Sequence, residues 1–279
     1  MLKPFLVIAG LALVAGCSTV DDKQDPLAGD IIDEIQVGEL LLTTGDPRTA
    51  VSYYESALSR EPERVDFRRN LARAYVRASR LPEAARTYQE LDALGAARAE
   101  DRLEYAMVAV RLGRWDDANA LATGLPTTMD TPRRYVLEAM LADRAAEWER
   151  ADAAYATAEQ LSPNPAEVLN NWGVSLMSRG ELQRASGTFE RAVSYDSSLF
   201  SAKNNLAISR GLRGEYRLPL VPMTSEERAV ITYNLGLIAL RKGQTRLARG
   251  LFASAIDTHP RYYQSAVDQL AQLDGSVIQ

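Results

Sequence analysis

The stretch Asn170–Val193, NNWGVSLMSRGELQRASGTFERAV, decides how the rest of the chain is read. Small and apolar residues recur in it at helical steps, and the alternation expected of a strand is absent. Gly173 and Ala185 are small residues in two successive helical segments, so the two segments can approach closely. Phe189, one turn after Ala185, fills the gap against whatever follows, and Ala192 continues the same face. The unit is helix–turn–helix.

The same spacing returns with a period of 34 residues. Gly45, Ala50, Tyr54, Ala57 and Pro62 mark one unit; Tyr75, Ala84 and Tyr88 the next; Gly113 and Ala118 a third. Ala151, Tyr155, Ala158 and Pro163 mark a fourth, and Gly236, Gly243, Ala248, Phe252, Ala255 and Pro260 the last. Unit starts fall near 31, 65, 99, 132, 166, 200 (a partial unit) and 229. The arrangement resembles the tetratricopeptide repeat, which predicts an all-α fold: a right-handed α-solenoid of about six units over 31–262, with a capping helix and tail over 263–279. Helix entries agree, since Asp46-Pro47, Thr131-Pro132 and Asn164-Pro165 each put a cap residue before a proline suited to the first helical position. Trp115, Trp148 and Tyr216 share one repeat offset and are expected to be packing residues.

One unit is broken. Ala202–Tyr216 follows the first-helix pattern, but the chain then reads RLPLVPMTSEER, with Pro219 where the repeat wants its small alanine. A regular second helix is not expected there. Thr224 with Glu227 offers a capping box for the helix that follows. Leu218, Leu220, Val221 and Met223 are left on a proline-constrained segment, either as a packing plug or as a docking segment for a partner.

At the other end, Pro4–Gly16 is apolar and follows the positive Lys3. Thirteen residues are too few to span a bilayer, which takes about 20, and suit the core of a signal peptide. The run ends Val14-Ala15-Gly16-Cys17, with the only cysteine in the chain, and resembles the lipobox of bacterial lipoproteins. That resemblance implies removal of 1–16 and covalent lipid on Cys17, with residues 17–30 as a flexible polar tether. Ser18 is compatible with sorting to the outer membrane. With the thiol used as an anchor no disulfide can form, so stability must come from the core.

Chemistry of an enzyme is not visible. The one histidine, His259, sits beside the closing Pro260; there is no phosphate-binding glycine loop and no set of cysteines and histidines for zinc. No cofactor and no metal are expected. The formal charge of −5 and pI near 5.2 argue against nucleic acid as partner.

Binding remains. First helices of such solenoids line the inner face. Asn70, Asn171, Asn205 and Asn234 share the sixth position of four units, where a row of amides could either pair with a peptide main chain or serve helix packing. Arg69, Arg73 and Arg77 make a basic stripe suited to an acidic segment or a C-terminal carboxylate, unless Glu39 and Glu104 neutralise it. Met107, Met140 and Met177 with Val110 add an adaptable apolar lining.

Lipobox, short acidic tether, about six repeats and the run SLFSAKNNLAISRGLRGEYRLPLVPMT together resemble TadD, the repeat lipoproteins of the bacterial tight-adherence (Tad) pilus and its type II-like secretion system. The resemblance implies a non-catalytic lipoprotein anchored in the outer membrane and facing the periplasm. It would act in pilus assembly, as a pilotin that helps the Tad secretin or other pilus-assembly proteins reach their place. A lipoprotein adaptor of another envelope machine, or a scaffold for a cell-wall hydrolase, is the alternative.

Overall fold

A computed structural model describes residues 36–261 and 263–275; Cys17, the apolar run before it and the tether lie outside them. Among the described residues every regular element is helical. The helices are α1 (36–44), α2 (Pro47–Arg60), α3 (Val65–Arg77), α4 (Leu81–Ala93), α5 (Ala99–Arg111), α6 (Trp115–Thr123), α7 (Pro132–Arg144), α8 (Trp148–Leu161), α9 (Ala166–Ser178), α10 (Leu182–Tyr195), α11 (Phe200–Leu212), α12 (Ser225–Arg241), α13 (Thr245–Thr258) and α14 (Gln264–Gly275). They form a solenoid of the tetratricopeptide kind. First and second helices pair as α1/α2, α3/α4, α5/α6, α7/α8, α9/α10 and α12/α13, while α11 stands alone. The core runs along the seam as linked clusters rather than one centre.

The eighth position of every unit is glycine or alanine: Gly38, Ala72, Ala106, Ala139, Gly173, Ala207 and Gly236, all buried. Opposite it the second helix places Tyr54, Tyr88, Tyr155, Phe189 or Phe252, each fully or nearly fully buried. At three units the fit needs glycine: a methyl on Gly38, Gly173 or Gly236 would stand 2.3, 2.4 or 2.6 Å from the nearest atom of Tyr54, Phe189 or Phe252. The third unit departs, with Ala122 at the aromatic position. Its second helix, α6, is only 9 residues long, and a cleft of about 160 Å³ opens between Ala122, Leu125, Leu137 and Leu141.

Caps explain the boundaries. Asp46 and Thr131 accept backbone N–H groups of Thr49 and Arg134, each before a proline in the first turn. At α9 the register differs by one: Pro165 is the cap residue rather than the first helical one, and Asn164 Oδ1 accepts from Ala166 N at 3.2 Å. Thr224 and Glu227 form the expected capping box, which starts α12 at Ser225, four residues ahead of the repeat register. The turn between paired helices passes through a left-handed residue at the fifteenth position of each unit after the first. Gly113, Gly180, Gly214 and Gly243 supply it in four units, whereas Ser79 and Ala146 are held at φ 57° and 58°.

Two predictions follow from this geometry. Gly173→Ala is expected to lower the thermal midpoint, because overpacking against a buried ring costs about 1–3 kcal/mol and outweighs the gain in helix propensity. Gly187→Ala, on the next helix with open space around it, should instead stabilise by up to about 1 kcal/mol. Thermal melts of the pair decide it; equal signs would remove the close-approach account. Ala146→Gly should relieve about 1 kcal/mol of left-handed strain and raise the midpoint by a few degrees, a result that a drop would contradict.

Candidate binding groove

First helices lie side by side along one face, and their outward positions line two clefts that meet at Arg133. The larger, about 460 Å³, is lined by Leu42 of α1, Arg69, Arg73, Val76 and Arg77 of α3, Tyr88 of α4, Arg98, Glu100, Asp101 and Glu104 around α5, and Arg133 of α7. The second, about 280 Å³, runs on past Met107, Val136, Asn164, Glu167, Asn171 and Asp196. Together they make a groove across the first five units.

Most of its charge is already spent between neighbouring units. Arg69 Nε donates to both oxygens of Asp101, at 3.0 and 2.7 Å, and its Nη2 donates to the Ala96 carbonyl at 3.0 Å. Asp101 is buried, and it also accepts the Arg98 backbone N–H at 2.9 Å, capping α5. Arg133 Nη2 donates to Glu104 Oε2 at 2.7 Å. Arg73 is shared loosely between Glu39, at 3.6 Å, and Asn70 Oδ1, at 3.2 Å. Of the sequence-derived stripe, only Arg77 is exposed with no polar partner among the described residues. Arg98 joins it as an exposed guanidinium without an ion-pair partner there. Asp101 escaped the sequence reading; its signal was its place as third residue of α5, where a carboxylate caps the helix it opens.

The floor carries a second unspent group. Tyr88 is buried beside this cleft, and its hydroxyl has no hydrogen-bond partner among the described residues. Burial, with Glu104 and Asp101 nearby, pushes its pKa far above the usual tyrosine range, so it stays a neutral donor at all working pH.

The asparagine row divides. Asn205 Nδ2 donates to Asn170 Oδ1 at 3.0 Å, and Asn234 Nδ2 to Asn204 Oδ1 at 2.8 Å, each reaching back to the fifth position of the preceding unit. Asn70 Nδ2 points to Glu39 Oε1 at 3.5 Å. These three stitch unit to unit. Asn171 has no polar partner among the described residues and lines the second cleft. Met107 and Met140 are half-buried between the clusters of the third and fourth units, and Met177 packs on Leu169, Leu176 and Phe189. Trp115 and Trp148 lie under Arg144 and Arg179 of the following unit, at 5.6 and 5.4 Å from ring centre to guanidinium carbon.

The broken unit has no second helix: residues 213–224 are non-helical. Leu218 and Met223 pack against Ala207, Ile231 and Leu235, while Val221 packs on the cluster of Leu169, Phe189 and Leu206. Leu220 alone points outward, fully exposed. Lys203, a buried lysine on α11, holds the segment down: its Nζ donates to the Pro222 carbonyl at 3.3 Å and pairs with Glu227 at 2.7 Å. Three of the four docking candidates are therefore plug residues. Burial would raise the Glu227 carboxyl, but the Lys203 hydrogen bond and the Thr224 backbone N–H outweigh it and hold it below its ordinary range. That stabilisation is present above the carboxylate range and is lost as pH falls through the lowered folded value.

Lys203→Met is expected to cost about 3 kcal/mol, the lower end for breaking a buried pair. It should also speed hydrogen exchange across 213–224 while leaving α3–α8 unchanged. Unaltered protection of that segment would show that Lys203 does not hold it.

Among the described residues no group of three or more His, Cys, Asp or Glu side chains is placed to hold a metal, and no helix is long and apolar enough to cross a membrane. Residues 38–101 match the family profile described as "Tetratricopeptide repeat". A search of curated proteins returns no match. Several solved structures share the fold. A tetratricopeptide repeat protein from Parabacteroides merdae aligns at TM-score 0.56 and 15% identity, over 88% of this chain and 98% of that one. A human IFIT1 dimer with PPP-AAAA aligns at 0.64 and 15%, over 86% and 62%. A chain of the APC/C hetero-tetramer Cut9–Hcn1 aligns at 0.57 and 16%, over 85% and 48%. The chain thus spans about half the length of that last relative, and at these identities the likeness is one of fold.

Proposed function

We propose that this protein is a non-catalytic, lipid-anchored adaptor whose groove binds an acidic segment of a partner protein in the assembly of a Tad-type pilus and secretion machine. The observation that carries the binding reading is the cleft over Tyr88. An unpartnered buried hydroxyl lies beside a rim where Arg77 and Arg98 keep free guanidinium groups while their neighbours are paired. A peptide carboxylate would meet charge-assisted donors there. Asn171, also unspent, extends the site toward the second cleft with an amide that can both donate and accept. Solenoids of stacked helix pairs use such extended inner surfaces for protein partners.

The membrane part of the proposal rests on sequence. Val14-Ala15-Gly16-Cys17 after an apolar run of thirteen residues suits lipidation of Cys17, and two or more acyl chains hold stably where one does not. With Ser18 next in line, the anchor belongs in the outer membrane with the solenoid in the periplasm. A pilotin-like role then follows: the groove escorts the secretin to the membrane in which the anchor sits.

The test is the amount of heat- and detergent-resistant secretin multimer in outer-membrane fractions. Deletion of the protein and Cys17→Ala should each abolish it. Arg77→Glu combined with Arg98→Glu should reduce it about tenfold or more, as loss of a charge-complementary contact does, with unchanged abundance and melting of the adaptor. An intact multimer in the deletion strain would remove the pilotin role. An intact multimer in the charge-reversed strain would remove the groove assignment.

A further inference from the structure

A second surface lies on the side of the second helices and owes nothing to the groove. In six of the seven units a second helix packs on its partner and on the helix that follows it. In the sixth unit that helix is missing. The segment 213–224 fills only the inner layer of its place, with Leu218, Met223 and Val221 turned into the core. Outside this layer an open cleft of about 910 Å³ remains, walled by Gly214 and Tyr216 on one side and by Gly243–Leu247, Gly250 and Leu251 on the other. Its volume is about twice that of the larger cleft of the inner groove.

The lining has the character of a helix seat. Leu247 and Leu251 stand one turn apart on α13, with Leu247 39% exposed. Gly243 and Gly250 leave the wall without side chains, so a backbone can come close; around Gly250 a methyl would meet nothing within 4 Å. The Tyr216 hydroxyl is shielded from water and has no hydrogen-bond partner among the described residues. The rim is basic: Arg246 in the wall and Arg217, beside Tyr216 in the chain, are exposed and have no ion-pair partner among the described residues.

We infer that this missing-helix position of the sixth unit is a docking seat for one amphipathic helix of a partner protein, about two turns long, with an apolar i, i+3, i+4 face and an acidic flank. The repeat register says what belongs there, since a second helix occupies the equivalent place in every other unit. The charge of the rim says which flank it carries. The capping helix α14 is committed elsewhere, with Ala266 and Leu273 buried. Residues 17–30 are polar with Pro26, and the run 4–16 is apolar at every position; neither has one apolar face.

The probe is a synthetic peptide with the sequence of α8, WERADAAYATAEQL, a second helix of this solenoid that carries three acidic residues against one arginine. Its partner is the whole chain, and a scrambled peptide of the same composition is the control. A free helix this short is marginal in water, so binding should be saturable and should raise the helical circular dichroism of the mixture. Gly250→Trp, which fills the cleft, and Leu247→Asp, on an exposed site, should each weaken binding at least tenfold with unchanged melting. Leu220→Asp should leave it unchanged. The inference fails if no saturable binding is seen, if the scrambled peptide binds as well, or if binding survives Gly250→Trp. It also fails if Leu220→Asp abolishes binding, which would move the contact to the plug. A chain that dimerises, and is made monomeric by Gly250→Trp, would identify a second copy as the occupant and overturn the partner-helix assignment.

Discussion

Everything in this fold hangs on the contact between a residue without a side chain to speak of and a ring. Glycine or alanine at the eighth position of the first helix lets the second helix lie against it, and a buried tyrosine or phenylalanine of the second helix then fills the space above. Interiors pack at crystal-like density, so the separation of the two helices is set by what stands at this one contact. Where the ring is replaced by Ala122, the second helix is short and a cleft opens. Because each pair presents the same face to the next, the contact propagates, and the clusters of the core form a chain along the seam.

Regular stacking has a second consequence for the inner face. Neighbouring first helices hold corresponding positions within reach of one another, so polar side chains facing the groove are offered to the next unit before any ligand arrives. Arg69 meets Asp101, Arg133 meets Glu104, Asn205 meets Asn170, and Ser175 donates to Asp143 at 2.7 Å. These bonds cross between units and help to fix their stagger. What this stitching leaves unpaired along the groove, among the described residues, is Arg77, Arg98, Asn171 and the hydroxyl of Tyr88.

The broken unit shows how a solenoid closes over a missing helix. α11 and α12 come into direct contact, Gly211 making room where a methyl would stand 2.7 Å from Leu235. A proline-bracketed segment drops three apolar side chains into the seam, and a buried lysine ties it to the cap of α12. The inner layer is thereby sealed. The outer layer is not, and the surface of α13 stays open beside it.

The helical class, the period of 34, the register of the paired helices and the absence of one second helix were all legible in the sequence. Each depends on local chemistry: helical spacing of small and aromatic residues, prolines that cannot continue a hydrogen-bond ladder, and cap residues before them. The early start of α12 was half legible, through Thr224 and Glu227. What the sequence could not decide was which polar residues are free. Asn70, Asn171, Asn205 and Asn234 hold the same repeat position, yet only Asn171 is unspent, because that depends on what the preceding unit holds across the face. Leu218, Leu220, Val221 and Met223 read alike as a run, and only packing separates the three that plug the core from the one that faces water. Periodicity assigns a residue to a face; its partner on that face comes from another unit, some thirty residues away, and is chosen by the tertiary structure alone.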